Sequence, residues 1–133
     1  MPVSPETNIA TRDTFLTTVD GKFTVLVTEI DATIRAISAD LEGYISYKML
    51  MYRVGQKRSD WLIAIDARGT KCVTLRFFKA LHFADPDKLL RLGTTTIGNL
   101  DFTTSLTPGD TARITDFTKQ AIAWHADEGQ GAP

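Results

Sequence analysis

Five carboxylates could bind a divalent metal ion if the chain brought them together. They are spread along one segment, as Asp20, Glu29, Asp31, Asp40 and Glu42. On a helix, Asp20, Asp31 and Glu42 fall on one flank of an apolar stripe, and the other two fall on the opposite flank. Carboxylates eleven residues apart lie about 16 Å apart along the axis, so they cannot share an ion. The pattern allows weak surface association with a metal or a plain solvated helix, but not a chelating cage.

A second candidate set lies on predicted strands. Met49, Met51 and Arg53 alternate along one strand, and Cys72 and Arg76 along another. If helices cover one face of the sheet, this set belongs to the other face. Methionine mixed with arginine is typical of an interface, and the arginines could pair with an anionic ligand or a partner's carboxylates. We expect a ligand- or partner-binding face that forms a homodimer. The alternatives are a register shifted by one residue, or termini that cover the face.

Catalytic chemistry has little support in the sequence. Cys72 lies among apolar neighbours, where a cysteine is usually inert packing. His82 precedes Asp85 and Asp87 in "LHFADPDKLLRLG", but both aspartates suit a helix start, with Pro86 at its first position. We interpret His82 as a bystander. We therefore expect a non-enzymatic protein with no tightly bound cofactor.

Composition narrows the class of protein. Fifteen basic and sixteen acidic side chains give a net charge of −1, although the basic ones concentrate between residues 48 and 91. No nucleic-acid motif accompanies them, so we expect no nucleic-acid partner. A single cysteine suits a reducing cytoplasm, and neither a signal peptide nor a membrane span is evident. We expect a cytoplasmic protein that does not enter a membrane.

The elements that would position these residues follow from periodicity. Apolar residues at helical spacing predict a helix over 20–42, with a stripe formed by Phe23, Leu26, Val27, Ile30, Ile34, Ile37 and Leu41. Strands are predicted at 48–54, 61–66, 72–78 and 94–102, with core rows that include Trp61, Ile63 and Ile65. A short helical insert should begin at Asp85, and a last helix at Thr107.

These elements predict an α+β fold, in which an antiparallel sheet of four to five strands has the N- and C-terminal helices on one face. We expect one domain over residues 16–126. A flexible N-terminus would cover 1–15, and a flexible tail would cover 127–133.

Three stretches, "LEGYISYKMLMYRVGQK", "LHFADPDKLLRLG" and "DTARITDFTKQAI", resemble the YdhG-like family over roughly residues 23–124. The matching residues are Glu42, Tyr47, Gly55, Asp85, Pro86, Leu90 and Gly93. The resemblance implies a frataxin-like fold. Because some members are described as iron chaperones, it also implies weakly bound iron at the five carboxylates and iron–sulfur assembly proteins as partners.

Overall fold

The computed structural model describes residues 5–38, 40–54, 61–69, 71–92 and 96–126. Within these ranges the chain forms three α-helices and an open antiparallel sheet of six strands. The predicted α+β fold is confirmed, with six strands where four to five were expected. The predicted tail and the family matches Gly55 and Gly93 lie outside the described residues.

The first four strands are consecutive antiparallel neighbours in the sheet. The six strands are β1 (Glu42–Ser46), β2 (Met49–Arg53), β3 (Trp61–Asp66), β4 (Val73–Phe77), β5 (Arg91–Leu92) and β6 (Gly98–Phe102). Their order in the sheet is β1-β2-β3-β4-β6-β5, so only the last two exchange places. The predicted strands correspond to β2, β3, β4 and β6. The sequence did not indicate β1 and β5, because Gly43 suggested a helix end and β5 has only two residues.

The helices are α1 (Pro5–Leu16), α2 (Thr24–Arg35) and α3 (Pro108–Trp124). They contribute to one core cluster with the rows Val73, Leu75 and Phe77 of β4 and Ile63 and Ile65 of β3. Because these side chains alternate along their strands, the helices cover one face of the sheet. No described helix is both long and apolar enough to cross a membrane.

Helix α1 lies in the segment 1–15 that was expected to be a flexible N-terminus, and the flexibility itself stays a prediction. It has no apolar stripe, so periodicity could not reveal it. Contacts with the sheet help to hold it: Phe15 is buried in the core, and Asn8 bonds the backbone of the sheet edge. The Asn8 amide donates to the Leu41 carbonyl at 3.2 Å, while its oxygen accepts from the Gly43 N–H at 3.0 Å.

Helix α2 is shorter than the predicted helix over 20–42. A 3₁₀ turn at Gly21–Phe23 precedes it, capped by Asp20, and the helix ends at Arg35. Leu41 is still buried, but it reaches the core from the segment that leads into β1. Glu42 pairs with Arg53 of β2, so strand pairing overrides the helical periodicity at the end of the predicted helix.

The start of α3 is as predicted. The Thr107 hydroxyl accepts from the Asp110 N–H at 3.1 Å, and the Asp110 carboxylate accepts from the Thr107 N–H at 3.0 Å. Pro108 occupies the first turn, which needs no N–H donor. The backbone N–H of Thr107 is the main cause that lowers the pKa of Asp110.

The predicted helical insert at Asp85 is wrong. The Asp85 carboxylate accepts from the N–H groups of Leu89 and Leu90, each at 2.9 Å, and Lys88 has a left-handed φ of 52°. The carboxylate thus closes a loop rather than capping a helix. The connection from β4 to β5 also packs closely on β6, since a Cβ on Gly98 would lie 2.6 Å from that of Ala80.

One buried carboxylate joins two helices to the sheet. Asp31 on α2 is only 2% exposed and accepts a short hydrogen bond from the Tyr52 hydroxyl of β2. Arg35 donates to it from Nη2 at 2.7 Å, and Arg12 of α1 lies 4.0 Å away. Burial and the adjacent carboxylate raise the pKa of Tyr52 well above its usual value, so this phenol stays protonated.

We predict that Asp31→Asn lowers the free energy of unfolding by about 3 kcal/mol, because Arg35 would lose its carboxylate inside the protein. Chemical denaturation measures the effect. Asp13→Asn is the matched control, since Asp13 also pairs with Arg12 but is 58% exposed, and it should change stability by less than about 0.5 kcal/mol. Equal effects of the two substitutions would contradict the prediction.

Candidate functional site

The sheet has one face in the core and one face that we call the open face. The open face is defined by Tyr44, Met49, Met51, Ala64, Arg76 and Asn99. The last five alternate with core residues, and Tyr44 is paired with Met51. Register places Met51 beside Tyr44 and Ala64, and Arg76 beside Ala64 and Asn99. Met51 and Ala64 are fully buried but do not belong to the core cluster that the helices form. A layer of long side chains on the open face therefore covers them.

The structure brings most of the predicted partner-binding residues onto this face. Met49, Met51 and Arg76 alternate with core residues on β2 and β4. The Arg53 guanidinium lies 3.9 Å from the ring centroid of Tyr44, which places it on the same face. Cys72 immediately precedes β4 and is half-buried, with Sγ 3.8 Å from the Thr74 hydroxyl.

An aromatic cluster, which the sequence did not indicate, occupies one half of the open face. Trp61 is at its centre, with ring-centroid distances of 6.1 Å to Tyr44, 5.9 Å to Tyr47 and 6.2 Å to Phe78. Alternation had placed Trp61 in the core row with Ile63 and Ile65. The register of β2 against β3 shifts between Tyr52 and Arg53, beside Trp61, and a shift of this kind breaks simple alternation.

Tyr47 reaches this cluster from a strained turn. It forms the two-residue connection of β1 to β2 with Lys48, and both have left-handed backbones, with φ of 52° and 62°. Such turns favour asparagine and glycine, because a bulky side chain costs about 1 kcal/mol or more there. Tyr47 is also 59% exposed, so burial does not repay this cost. Strain retained in an exposed aromatic residue is characteristic of a binding site.

Charged side chains occupy the other half of the open face. The Asp66 carboxylate accepts from Arg68 at 2.8 Å and from Arg76 at 2.9 Å, and Arg76 also donates to Asn99 at 3.2 Å. The hydrogen bonds from Arg68, and then those from Arg76, hold the pKa of Asp66 well below its usual value. Two guanidinium groups share one carboxylate, so this group keeps one net positive charge.

A second ion pair continues the charged half toward the sheet edge. Asp101 accepts from the Thr74 hydroxyl at 2.7 Å and from Arg91 at 3.1 Å. Burial opposes its ionisation, but these hydrogen bonds prevail and lower the pKa of Asp101. The two predicted arginines are likewise engaged, Arg76 by Asp66 and Arg53 by Glu42. An anionic ligand at either one would have to displace a carboxylate of the protein itself.

The five predicted metal ligands lie in different surroundings. Asp20 caps the 3₁₀ turn, Asp40 is exposed, and Glu42 pairs with Arg53. Asp31, expected on a solvated flank, is buried under Arg35 and Tyr52. Glu29 is half-buried, and its Oε1 atom has no hydrogen-bond partner among the described residues. Over the same residues, no three His, Cys, Asp or Glu side chains form a group that could hold a metal ion.

Weak iron association stays a prediction. If it occurs, ferrous iron should shift the NMR signals of Asp20 and Asp40, whose carboxylates are exposed. Asp31 should not respond, because Arg35 and Tyr52 occupy its oxygens. A titration that stays flat at millimolar iron would exclude the association, and a calcium titration controls for non-specific charge effects.

We predict that Asp66→Asn lowers the free energy of unfolding by about 1–3 kcal/mol at pH 7, because two arginines lose a charged acceptor. The native pKa of Asp66 is below the unfolded value, so this contribution is complete above about pH 4 and declines as the pH falls toward the native pKa. Denaturation of the variant and the wild type across pH 2–7 measures the difference. Asp87→Asn, at an exposed position, should show little difference at any pH. A gap between variant and wild type that persists unchanged at pH 2 would contradict the assignment.

The chain was also compared with known proteins. No protein-family model, no curated protein and no solved structure matches it. The resemblance to the YdhG-like family therefore stays a prediction from the stretches quoted above, and the open face is interpreted from its own geometry.

Proposed function

We propose that this protein is a non-enzymatic binding module that forms a homodimer through the open face. The observation that carries the proposal is Tyr47, an exposed aromatic residue held against Trp61 by a turn that it strains. Asparagine at this position would relieve the strain and extend less apolar surface into solvent. The cost of keeping tyrosine is consistent with an additional contact that this side chain makes on association.

The residue types on this face support a protein contact. Tyrosine, tryptophan, phenylalanine, methionine and arginine are enriched at interfaces, and the open face presents each of them. Tryptophan, tyrosine and arginine also supply most of the binding free energy in typical interfaces. Trp61, Tyr44 and Arg53 are already fixed against one another, so association would cost little side-chain entropy.

The charge arrangement favours a second copy of the same chain as the partner. Both signs are interspersed over the face and its edges. The carboxylates are Glu42, Asp66 and Asp101, and the guanidinium groups are Arg53, Arg68, Arg76 and Arg91. In a two-fold contact the same patch meets itself, which a surface of one sign would oppose by repulsion. Mixed signs allow guanidinium groups of each copy to approach carboxylates of the other.

We predict that the wild-type protein sediments as a dimer and that Tyr47→Asn raises the dimer dissociation constant at least about tenfold, the effect of losing one aromatic contact. Sedimentation equilibrium over a concentration series measures this constant. Since asparagine tolerates a left-handed backbone, the variant should be about 1 kcal/mol more stable as a monomer. If the variant associates more weakly although its fold is more stable, the loss of the dimer is not caused by unfolding.

Val25→Lys is the matched control. Val25 is 63% exposed on α2, on the helix side of the sheet, so the substitution places a charge on an apolar surface residue away from the open face. It should leave the dissociation constant unchanged. A monomeric wild type, or equal weakening by the two substitutions, would refute the proposal.

A further inference from the structure

A groove of about 690 Å³ lies beside the end of α1, where β1 turns into β2 and β3 ends, and Tyr47 forms part of its wall. It separates the end of α1 from the β1–β2 turn and the segment after β3. Apolar side chains of Phe15, Ile45 and Ala67 line it. Ile45 pairs with the core residue Leu50, yet it is 42% exposed, because α1 ends before covering it. The groove thus leaves part of the core face open.

The polar groups along the groove walls are largely satisfied within the chain. The hydroxyls of Thr14, Thr17 and Thr18 donate to backbone carbonyls of α1 at 3.0, 2.7 and 2.7 Å. These donors are therefore not available to a ligand. An occupant would meet mainly methyl, methylene and aromatic groups, which suits an apolar chain or ring.

The rim of the groove is positively charged. Lys48 and Arg68 line it, and no acidic side chain does so among the described residues. Lys48 has no ion-pair partner there. Arg68 shares Asp66 with Arg76, so one positive charge of that group is not neutralised. The turn that carries Lys48 has a left-handed φ of 62°, where glycine would be unstrained, so the lysine side chain is retained at a conformational cost.

We propose that this groove binds a small amphipathic anion, with an alkyl chain between Phe15, Ile45 and Ala67 and its anionic head at Lys48, beside the net positive charge of the group formed by Arg68, Arg76 and Asp66. The volume is in the range of small-molecule sites, about 300–1,000 Å³. Charge selects the head group, because an ammonium would face two cations, whereas a carboxylate or phosphate ester would be attracted. The groove shares Tyr47 and Arg68 with the open face, so a bound ligand and the proposed dimer contact would meet at the β1–β2 turn.

The test is an NMR titration with decanoate below its micelle concentration. We expect saturable shifts at Phe15, Ile45 and Ala67. Acetate, which has the head without the chain, and decyltrimethylammonium, which has the chain with the opposite charge, should each bind at least tenfold more weakly. Equal binding of decanoate and decyltrimethylammonium, or no binding of decanoate at millimolar concentration, would overturn the proposal.

Lys48→Gly separates binding from folding. The substitution removes the charge and relieves the left-handed strain, so the midpoint of thermal unfolding should rise while decanoate binding weakens at least fivefold. Lys119→Gln removes an exposed cation on α3 and should leave binding unchanged. A fivefold loss in both variants, or in neither, would contradict the assigned role of Lys48.

Vesicles of phosphatidylglycerol distinguish a free anion from a lipid head group. A groove that encloses a single chain should bind free decanoate and leave the protein unbound when vesicles are pelleted. If the protein pellets with vesicles and does not bind decanoate, the cationic rim binds a membrane surface and the groove proposal is wrong.

Discussion

The Asp31 carboxylate is the interaction on which the arrangement of the helix layer depends. It lies where α1, α2 and β2 meet, and it accepts hydrogen bonds from Arg35 on its own helix and from Tyr52 on the sheet. A buried charge of this kind adds little net stability compared with an apolar replacement. Losing the contact with one of its partners, however, lowers the free energy of unfolding strongly, because a charge is then left unpaired inside the protein. The carboxylate therefore fixes how α2 lies over β2.

Sequence periodicity predicted the parts of the fold in which a single local pattern of residue types determines the structure. The stripe of α2, four strands and the capping box at Thr107 are all local patterns of residue type, and each is present in the structure. Residues whose roles depend on distant partners were not predictable in this way. Helix α1 is held by Asn8 and Phe15 rather than by a stripe, and Asp85 closes a loop although its sequence suits a helix start.

The candidate site was predictable only in part, for the same reason. Alternation along β2 and β4 correctly grouped Met49, Met51 and Arg76 on one face, since it needs no knowledge of neighbouring strands. Trp61 was assigned to the wrong face because a register shift depends on how two strands pair. The sequence of neither strand alone shows that shift. The carboxylates that already bind the arginines were also missed, because ion pairs across strands depend on register.

Asn8 has a consequence for the integrity of the sheet edge. Its amide group offers β1 one donor and one acceptor, as a neighbouring strand would, and α1 lies along the strand it satisfies. Unpaired edge strands are templates for strand addition by other chains. At the opposite edge, β5 has only two residues, which leaves little backbone to pair. The N-terminal helix thus protects the β1 edge from pairing with strands of other chains. A chain shortened past Leu16 would expose β1 as a template for intermolecular strand pairing.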